Sequence, residues 1–247
     1  MIVPLIVAGV ALLMICFEVL RPGRSWPRVT GWWTRAALLN AVQVGMVYLA
    51  GVAWDGWMKE HRPWSADWMG NVAGGIVGYV AITFVYYWWH RWRHESDFLW
   101  RWFHQVHHSP QRIEIITSFY KHPFELLANS ILSSAILYFM VGVGPQAASN
   151  AVLISGLAEL FYHWNVPTPY WVGFLVQRPE SHCVHHQEAL HSYNYGDLPL
   201  WDMLFGTFRN PRHWQANCGF GPEGEHRLVA MLAGKDVSKP EPSGTPS

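Results

Sequence analysis

The feature that most constrains this chain is a series of long apolar runs separated by short segments rich in Trp, Arg and His. The first run, residues 2–20 (IVPLIVAGVALLMICFEVL), is long enough to cross roughly 30 Å of hydrocarbon as a helix. Further runs occupy residues 36–54, 70–89, 124–143 and 146–164. The last two flank Gly144-Pro145 and predict a helical hairpin. The pattern predicts an all-α membrane bundle of about four to five transmembrane helices.

A cleaved signal peptide is the competing interpretation of residues 2–20. The run lacks a basic segment before it, contains Glu18, and is followed by RPGRSWPR. These three features favour a retained transmembrane helix.

The basic residues orient the predicted bundle. The first loop carries Arg21, Arg24, Arg28 and Arg35 with no acidic residue between them, which predicts a cytoplasmic loop. If each following apolar run crosses the membrane once, every histidine group lies on the cytoplasmic side. We therefore expect a multi-pass integral membrane protein, in the inner membrane if the source is bacterial, whose bundle is capped by a cytosolic histidine-rich helical domain.

Length and charge bound the organisation and the partners of the chain. Residues 1–234 are interpreted as a single domain, and the polar segment 235–247 (KDVSKPEPSGTPS) as a disordered tail. The formal net charge is zero, so nucleic acid is not expected as a partner. The three cysteines form no CxxC pair, so no disulfide framework is expected.

The second constraint is the grouping of nine of the fourteen histidines. YYWWHRWRHE holds a pair four residues apart, WFHQVHHSP and ESHCVHHQ each hold an HxxHH motif, and AELFYHWN adds a single histidine. Residues three or four apart share a helix face, so each motif is expected to aim its imidazoles at one point. Nine imidazoles exceed the four ligands of one zinc ion, which favours two metal ions. The predicted metal ligands are His90, His94, His104, His107, His108, His163, His182, His185 and His186.

The remaining histidines are treated separately. His61, His213 and His226 are interpreted as isolated interface residues. His122, before Pro123, is either an interface anchor or a residue that supports a ligand, and both alternatives stay open. His191 lies off the ligand face if the helix continues, so it is not expected to bind metal.

Glu159 lies four residues before His163, on the same predicted helix face. Its carboxylate could bind metal, join a buried salt bridge, or contact the outer nitrogen of a metal-bound histidine. Carboxylates commonly fix the tautomer of such histidines, so the last role is preferred.

The metal follows from chemistry as well as from ligand type. Imidazole binds iron, zinc, copper and nickel alike. Zinc is redox-inert, so a non-enzymatic zinc-binding membrane protein is one alternative, and a bis-histidine haem protein that transfers electrons is another. Two neighbouring irons could share the electrons needed to cleave dioxygen and oxidise a C–H bond. A site at the lipid boundary suits an apolar substrate that enters from the bilayer, and this interpretation is preferred.

From about residue 80 to residue 210 the chain resembles the fatty acid hydroxylase / sterol desaturase superfamily of membrane di-iron enzymes. The resemblance rests on YWWHRWRH, WRWFHQVHHSP, KHPFE, FYHWN, SHCVHHQ and NYGDLPLWDMLFGTF. It implies a four-helix membrane core with a cytosolic histidine-rich cap, two iron ions held by the nine histidines above, and dioxygen as co-substrate. The substrate would be a lipid, sterol, carotenoid or other apolar molecule that is hydroxylated or desaturated. Asn194 and Asp197, in the NYGD stretch, are added as candidate catalytic residues.

Two features depart from the family pattern. Some members carry two histidines four residues apart in the middle group, whereas Glu159 occupies the earlier position here, which bears on the symmetry of the two metal sites. The chain also contains no HPGG-type haem motif, so electrons are expected from a separate ferredoxin- or cytochrome b5-like partner.

Overall fold

Helices account for the regular structure of this protein, as the apolar runs predict. The computed structural model describes residues 2–214 and 217–239, with side chains from residue 5 onward. The helices are α1 (Ile2–Leu20), α2 (Trp32–Ala53), α3 (Asp55–Glu60), α4 (Gly70–Glu95), α5 (Asp97–Phe103), α6 (Gln105–His108), α7 (Pro123–Ala135), α8 (Pro145–Tyr162), α9 (Pro179–His185), α10 (Pro199–Phe205), α11 (Gly221–Glu225) and α12 (Leu228–Leu232). Within the described residues no strand is formed, and the predicted all-α class is confirmed.

Three stretches of the described chain are long and apolar enough to cross a membrane: Trp32–Ala53, Asp67–Glu95 and Pro123–Val141. α1 contributes a shorter apolar stretch, Leu5–Leu20. Large apolar side chains on these helices point outward: Leu38 is 63% exposed and Val72 is 72% exposed. So much exposed apolar surface is unfavourable in water and suits a lipid environment. The chain is therefore a membrane protein, with three candidate spans where four to five are predicted.

α4 and α8 pack against each other because glycines on α4 face α8. A Cβ atom on Gly75 would lie 2.7 Å from Cβ of Asn150, and one on Gly78 would lie 3.2 Å from Cβ of Ala151. Both distances are tighter than ordinary contacts, so glycine is what allows the two backbones to approach this closely. The C-terminal ends of α4 and α8, which carry histidines, are thereby fixed side by side.

The predicted helical hairpin is present. α7 continues into a π-helical segment, Ile136–Val141, and α8 begins at Pro145. Gly142 adopts a left-handed conformation, with φ 77°, that reverses the chain between the two helices.

α1 is fixed to the histidine-rich end of the bundle by a buried carboxylate. Glu18 is 4% exposed and accepts hydrogen bonds from the backbone N–H groups of Ile115 (3.3 Å) and Asn165 (3.2 Å). Because a buried carboxylate needs such donors, this contact fixes the depth of α1 relative to the segments that follow α6 and α8.

The predicted tail begins at residue 235, yet its first residues pack against the rest of the chain. Val237 is buried, and the side-chain amide of Gln105 donates to the carbonyl of Lys235 at 2.8 Å. The remainder of the predicted tail, residues 240–247, lies outside the described residues.

Candidate metal centre

The nine predicted histidines come together in two clusters at one end of the bundle. Within each cluster, one ring nitrogen from every histidine lies within 4.8 Å of the corresponding nitrogen of every other. The first cluster contains His90, His94, His104, His108 and His185, and the second contains His107, His163, His182 and His186. His61, His122, His191, His213 and His226 belong to neither.

Each HxxHH motif is divided between the two clusters, which differs from the expectation that each motif aims at one point. His104 and His108 enter the first cluster, and His107 enters the second. The division follows from helix geometry. Side chains four residues apart point in similar directions around the helix axis, whereas adjacent side chains point about 100° apart. The second motif divides in the opposite sense, with its middle histidine in the first cluster.

This division places the two clusters against each other. The rings of His108 and His186, one from each cluster, stack with centroids 4.2 Å apart and planes 16° apart. A pair of ions held in the two clusters would therefore be neighbours.

The inward-facing nitrogens are arranged as a metal would require. In the second cluster, Nε2 of His182 lies 3.0 Å from Nε2 of His163 and 3.0 Å from Nε2 of His186. In the first, the buried Nε2 atoms of His90, His94 and His185 have no hydrogen-bond partner. Imidazole lone pairs that face one another at such distances repel unless a proton or a cation lies between them. The donor set therefore fits metal ions in both clusters.

Burial keeps these rings neutral. It lowers the pKa of His107, His108, His182 and His186 well below the usual range, and the neighbouring imidazoles act in the same direction. Burial also lowers the pKa of His185 to about 3. The neutral ring is the form that binds a metal ion.

In the first cluster, His104 is supported from outside by a buried carboxylate. Its Nδ1 lies 3.2 Å from Oε1 of Glu125, and the same carboxylate forms an ion pair with Arg93. The side chains of Glu125 and Arg93 are 0% and 4% exposed. Sequence reasoning missed both residues, although Glu125 is the last residue of the KHPFE motif and could have been found there.

In the second cluster, the outer contacts come from a backbone carbonyl and an amide. Nδ1 of His163 lies 2.8 Å from the carbonyl oxygen of Glu159, and the side-chain amide of Gln177 lies 2.6 Å from Nδ1 of His182. The Glu159 carboxylate instead pairs with Lys121. The preferred role of the Glu159 carboxylate, a contact with the outer nitrogen of His163, is therefore not the one observed: the carboxylate forms the salt bridge given as an alternative, and only the backbone carbonyl contacts the ring.

Asn194 uses its side chain to hold the chain that follows the second HxxHH motif. Its amide donates to the carbonyls of Ser181 (2.8 Å) and Arg209 (2.9 Å), and its side-chain oxygen accepts from the N–H of Arg209 (2.7 Å). The side chain is buried, and these bonds all go to backbone groups. The geometry supports a positioning role rather than contact with a reacting molecule.

Asp197 lies close to the second cluster through Tyr162. Its carboxylate interacts with Tyr162, whose ring centroid is 4.5 Å from that of His182. Burial, followed by the negative charge of Glu159, raises the pKa of Asp197 to about 7. This carboxyl group can therefore hold or release a proton near neutral pH.

His122, left open by the sequence, and His191, not expected to bind metal, have different places. His122 caps α7, since its Nδ1 accepts a hydrogen bond from the N–H of Phe124 at 3.0 Å. His191 contacts the first cluster, with its Nδ1 3.1 Å from Nδ1 of His108.

The fold and the site define a class, a helical membrane protein with two adjoining histidine clusters. A model of the fatty acid hydroxylase family matches residues 75–207, more than half of the chain and a range that includes both clusters. The chain belongs to the fatty acid hydroxylase family, as its motifs indicate.

Curated relatives are similar over part of their length. Alkylglycerol monooxygenase of Homo sapiens is 26% identical over 159 residues, which cover 63% of this chain and 34% of the relative. Ornithine lipid hydroxylase OlsE of Rhizobium tropici is 32% identical over 140 residues, covering 55% and 42%. Sphinganine C4-monooxygenase 2 of Arabidopsis thaliana is 26% identical over 141 residues, covering 54% and 53%. The matches thus span about a third to a half of these relatives, and no solved structure matches the chain.

Proposed function

We propose that this chain is a membrane-bound di-iron oxygenase that uses dioxygen and external electrons to hydroxylate or desaturate a C–H bond of an apolar, lipid-like substrate. The single observation that carries the proposal is the pair of adjoining clusters of five and four imidazoles. The names of the relatives, which are lipid hydroxylases and monooxygenases, support oxidation of a lipid rather than hydrolysis.

In this proposal the nine clustered histidines bind the two irons, and the surrounding residues orient them. The carbonyl of Glu159 accepts the outer N–H of His163, and the paired side chains of Glu125 and Arg93 contact Nδ1 of His104, so that Nε2 of each ring faces its cluster. Burial excludes water from the rings and keeps them neutral.

The bound iron pair would supply the redox equivalents needed to cleave dioxygen and oxidise an unactivated C–H bond. Hydroxylation consumes one dioxygen, two electrons and two protons and releases one water. Asp197, with its pKa near 7 and its contact to Tyr162, is our candidate for holding a proton beside the second cluster. Asn194 is assigned to positioning the chain around the site.

The proposed topology has four to five spans, with α1 and α8 crossing the membrane in addition to the three candidate spans. The arginines of the loop after α1 favour a cytoplasmic site, capped by the histidine-rich segments, in the inner membrane if the source is bacterial. Electrons would then come from a separate ferredoxin- or cytochrome b5-like donor on that side.

The test begins with purified protein. We expect about two irons per chain and oxygen consumption that requires added reductant. Lipids from cells with and without the active protein should differ by one oxygen atom or two hydrogen atoms when compared by mass spectrometry. Carefully prepared active protein that contained only zinc would contradict the proposal, and a Soret band would indicate the haem alternative instead.

A further inference from the structure

The short segment 191–195, which follows the second HxxHH motif, contacts four of the five rings of the first cluster. Two of the contacts use backbone carbonyls, which join Tyr195 to Nδ1 of His90 (2.7 Å) and Tyr193 to Nδ1 of His185 (2.7 Å). The ring of Tyr195 makes a third contact, with its centroid 5.3 Å from that of His94. Three rings are thus contacted by one short stretch of chain.

The fourth contact is made by a side chain. Nδ1 of His191 lies 3.1 Å from Nδ1 of His108, while Nε2 of His108 faces Nε2 of His104 at 3.1 Å. If His108 donates its Nδ1–H to His191, its Nε2 lone pair is left to face the cluster centre. An imidazole that accepts this proton thereby sets the tautomer of its neighbour.

The backbone of the segment is unusual in a way that explains these contacts. His191, Tyr193 and Asn194 have φ angles of 42°, 68° and 49°, in the left-handed region that residues with a side chain rarely adopt. These left-handed residues bend the segment so that the carbonyls of Tyr193 and Tyr195 reach the cluster. Strain of this kind persists only where surrounding contacts enforce it.

Those surrounding contacts are made at Asn194 and at the two residues that follow it. The Asn194 side chain is bonded to the backbone of Ser181 and Arg209. The carboxylate of Asp202 accepts the N–H groups of Tyr195 (2.8 Å) and Gly196 (2.9 Å). The segment is therefore held in place independently of the rings that it contacts.

We infer that segment 191–195 is a positioning element for the five-histidine cluster and that His191 orients His108 as its side-chain contact. The inference rests on the proposed function in one respect, namely that the clusters bind metal. The second cluster takes its outer contacts from Glu159 and Gln177, so loss of the His191 ring should affect one of the two ions and spare the other.

Two substitutions separate the ring from the backbone. The substitution His191→Gly removes the ring, and glycine adopts the left-handed conformation without strain, so the backbone of the segment stays in place. His191→Asn keeps a short side-chain oxygen that can accept the proton of His108, and asparagine tolerates the left-handed region. His61→Asn, at an exposed ring outside both clusters, is the matched control.

The measurement is a titration of metal-free, detergent-purified protein with cobalt(II), followed by its visible absorption spectrum, together with iron content against graded chelator. We expect H191G to weaken one of the two ions about 10- to 100-fold and to change the bands of that ion alone. H191N should restore most of the affinity, and the control should match the parent protein.

Equal losses in H191G and H191N, loss of both ions together, or unchanged binding in H191G would overturn the inference. So would a parent protein whose first cluster binds no cobalt. Failure of the proposed function has a different signature: the cobalt results above would stand, but the iron-loaded protein would not consume oxygen or alter lipids.

Discussion

The two histidine clusters are neighbours, yet they are built differently. In the first, five rings converge, two of them partly accessible (His90 and His94), and a single strained segment supports four of them. In the second, four fully buried rings converge, and the outer contacts come from separate elements, the end of α8 and Gln177. The rings of the first cluster are contacted by one segment, whereas the rings of the second are contacted by separate residues.

This difference predicts which substitutions would weaken the binding of each ion. A cluster supported by one segment should respond as a whole to changes in that segment. A four-ring cluster has fewer protein ligands to lose and leaves more room for an exogenous group. Glu159, at the position where some family members carry a histidine, adds no carboxylate to the four-ring cluster because that carboxylate pairs with Lys121.

The largest expected effect comes from removing one ligand from each cluster in turn. His185→Ala takes a ring from the first cluster, and His186→Ala takes one from the second. Each should lower lipid oxidation more than about 100-fold, above the range for outer contacts, because the ligand itself is lost. Metal analysis should show different single-ion losses in the two variants. Turnover retained in either variant would contradict its assignment as a ligand.

A smaller effect should follow from weakening one outer contact per cluster. Glu125→Gln keeps the shape of the side chain but removes the charge beside His104, and Gln177→Leu removes the amide beside His182. Each should lower the affinity of its own ion by about 10- to 100-fold. Cobalt titration of both variants provides the measurement, and each variant serves as the control for the other. Losses confined to the wrong cluster would show that the two sites are not supported separately.

The sequence predicts the convergence of the nine histidines because their spacing is itself geometric information. The HxxxH and HxxHH motifs on helices leave few directions for the rings. Apolar runs of the right length place those motifs at one end of the bundle. The nine histidines therefore converge as expected. Ring direction within a motif could not be predicted from spacing alone, because it depends on which neighbour each helix face meets, and the division of His104 and His107 between clusters was missed.

The outer contacts escaped prediction for a different physical reason. Glu125 reaches His104 only because α7 packs beside the ends of α4 and α5, and no local pattern encodes that contact. The carbonyls of segment 191–195 act through their backbone conformation, to which the side chains give little clue. His191 was set aside on the assumption that the helix continues, whereas α9 ends at His185 and the chain turns back.

Acid should destabilise both clusters. The pKa of His185 falls from 6.5 to about 3 in the folded chain, so the unfolded chain binds more protons between these values. The contribution of this ring to the stability of the metal-free protein is therefore complete above pH 6.5 and is lost as the pH falls. At pH 5 the free energy of unfolding should be lower by about 2 kcal/mol for this one ring. Denaturant unfolding in detergent at pH 7.5 and pH 5 measures the change. An unfolding midpoint that did not fall at pH 5 would contradict the burial of neutral rings.

The smallest expected effect on metal binding concerns Glu159, the carboxylate nearest the second cluster in the sequence. Since His163 contacts its carbonyl and not its carboxylate, Glu159→Gln should leave the affinity of both ions within about 2-fold. The substitution does remove the negative charge that pairs with Lys121, so the free energy of unfolding should fall by about 1–3 kcal/mol. Cobalt titration and denaturant unfolding of the same preparation separate these two effects. Loss of the second-cluster ion with stability unchanged would mean that the carboxylate itself orients His163, as Glu125 would orient His104 in the first cluster.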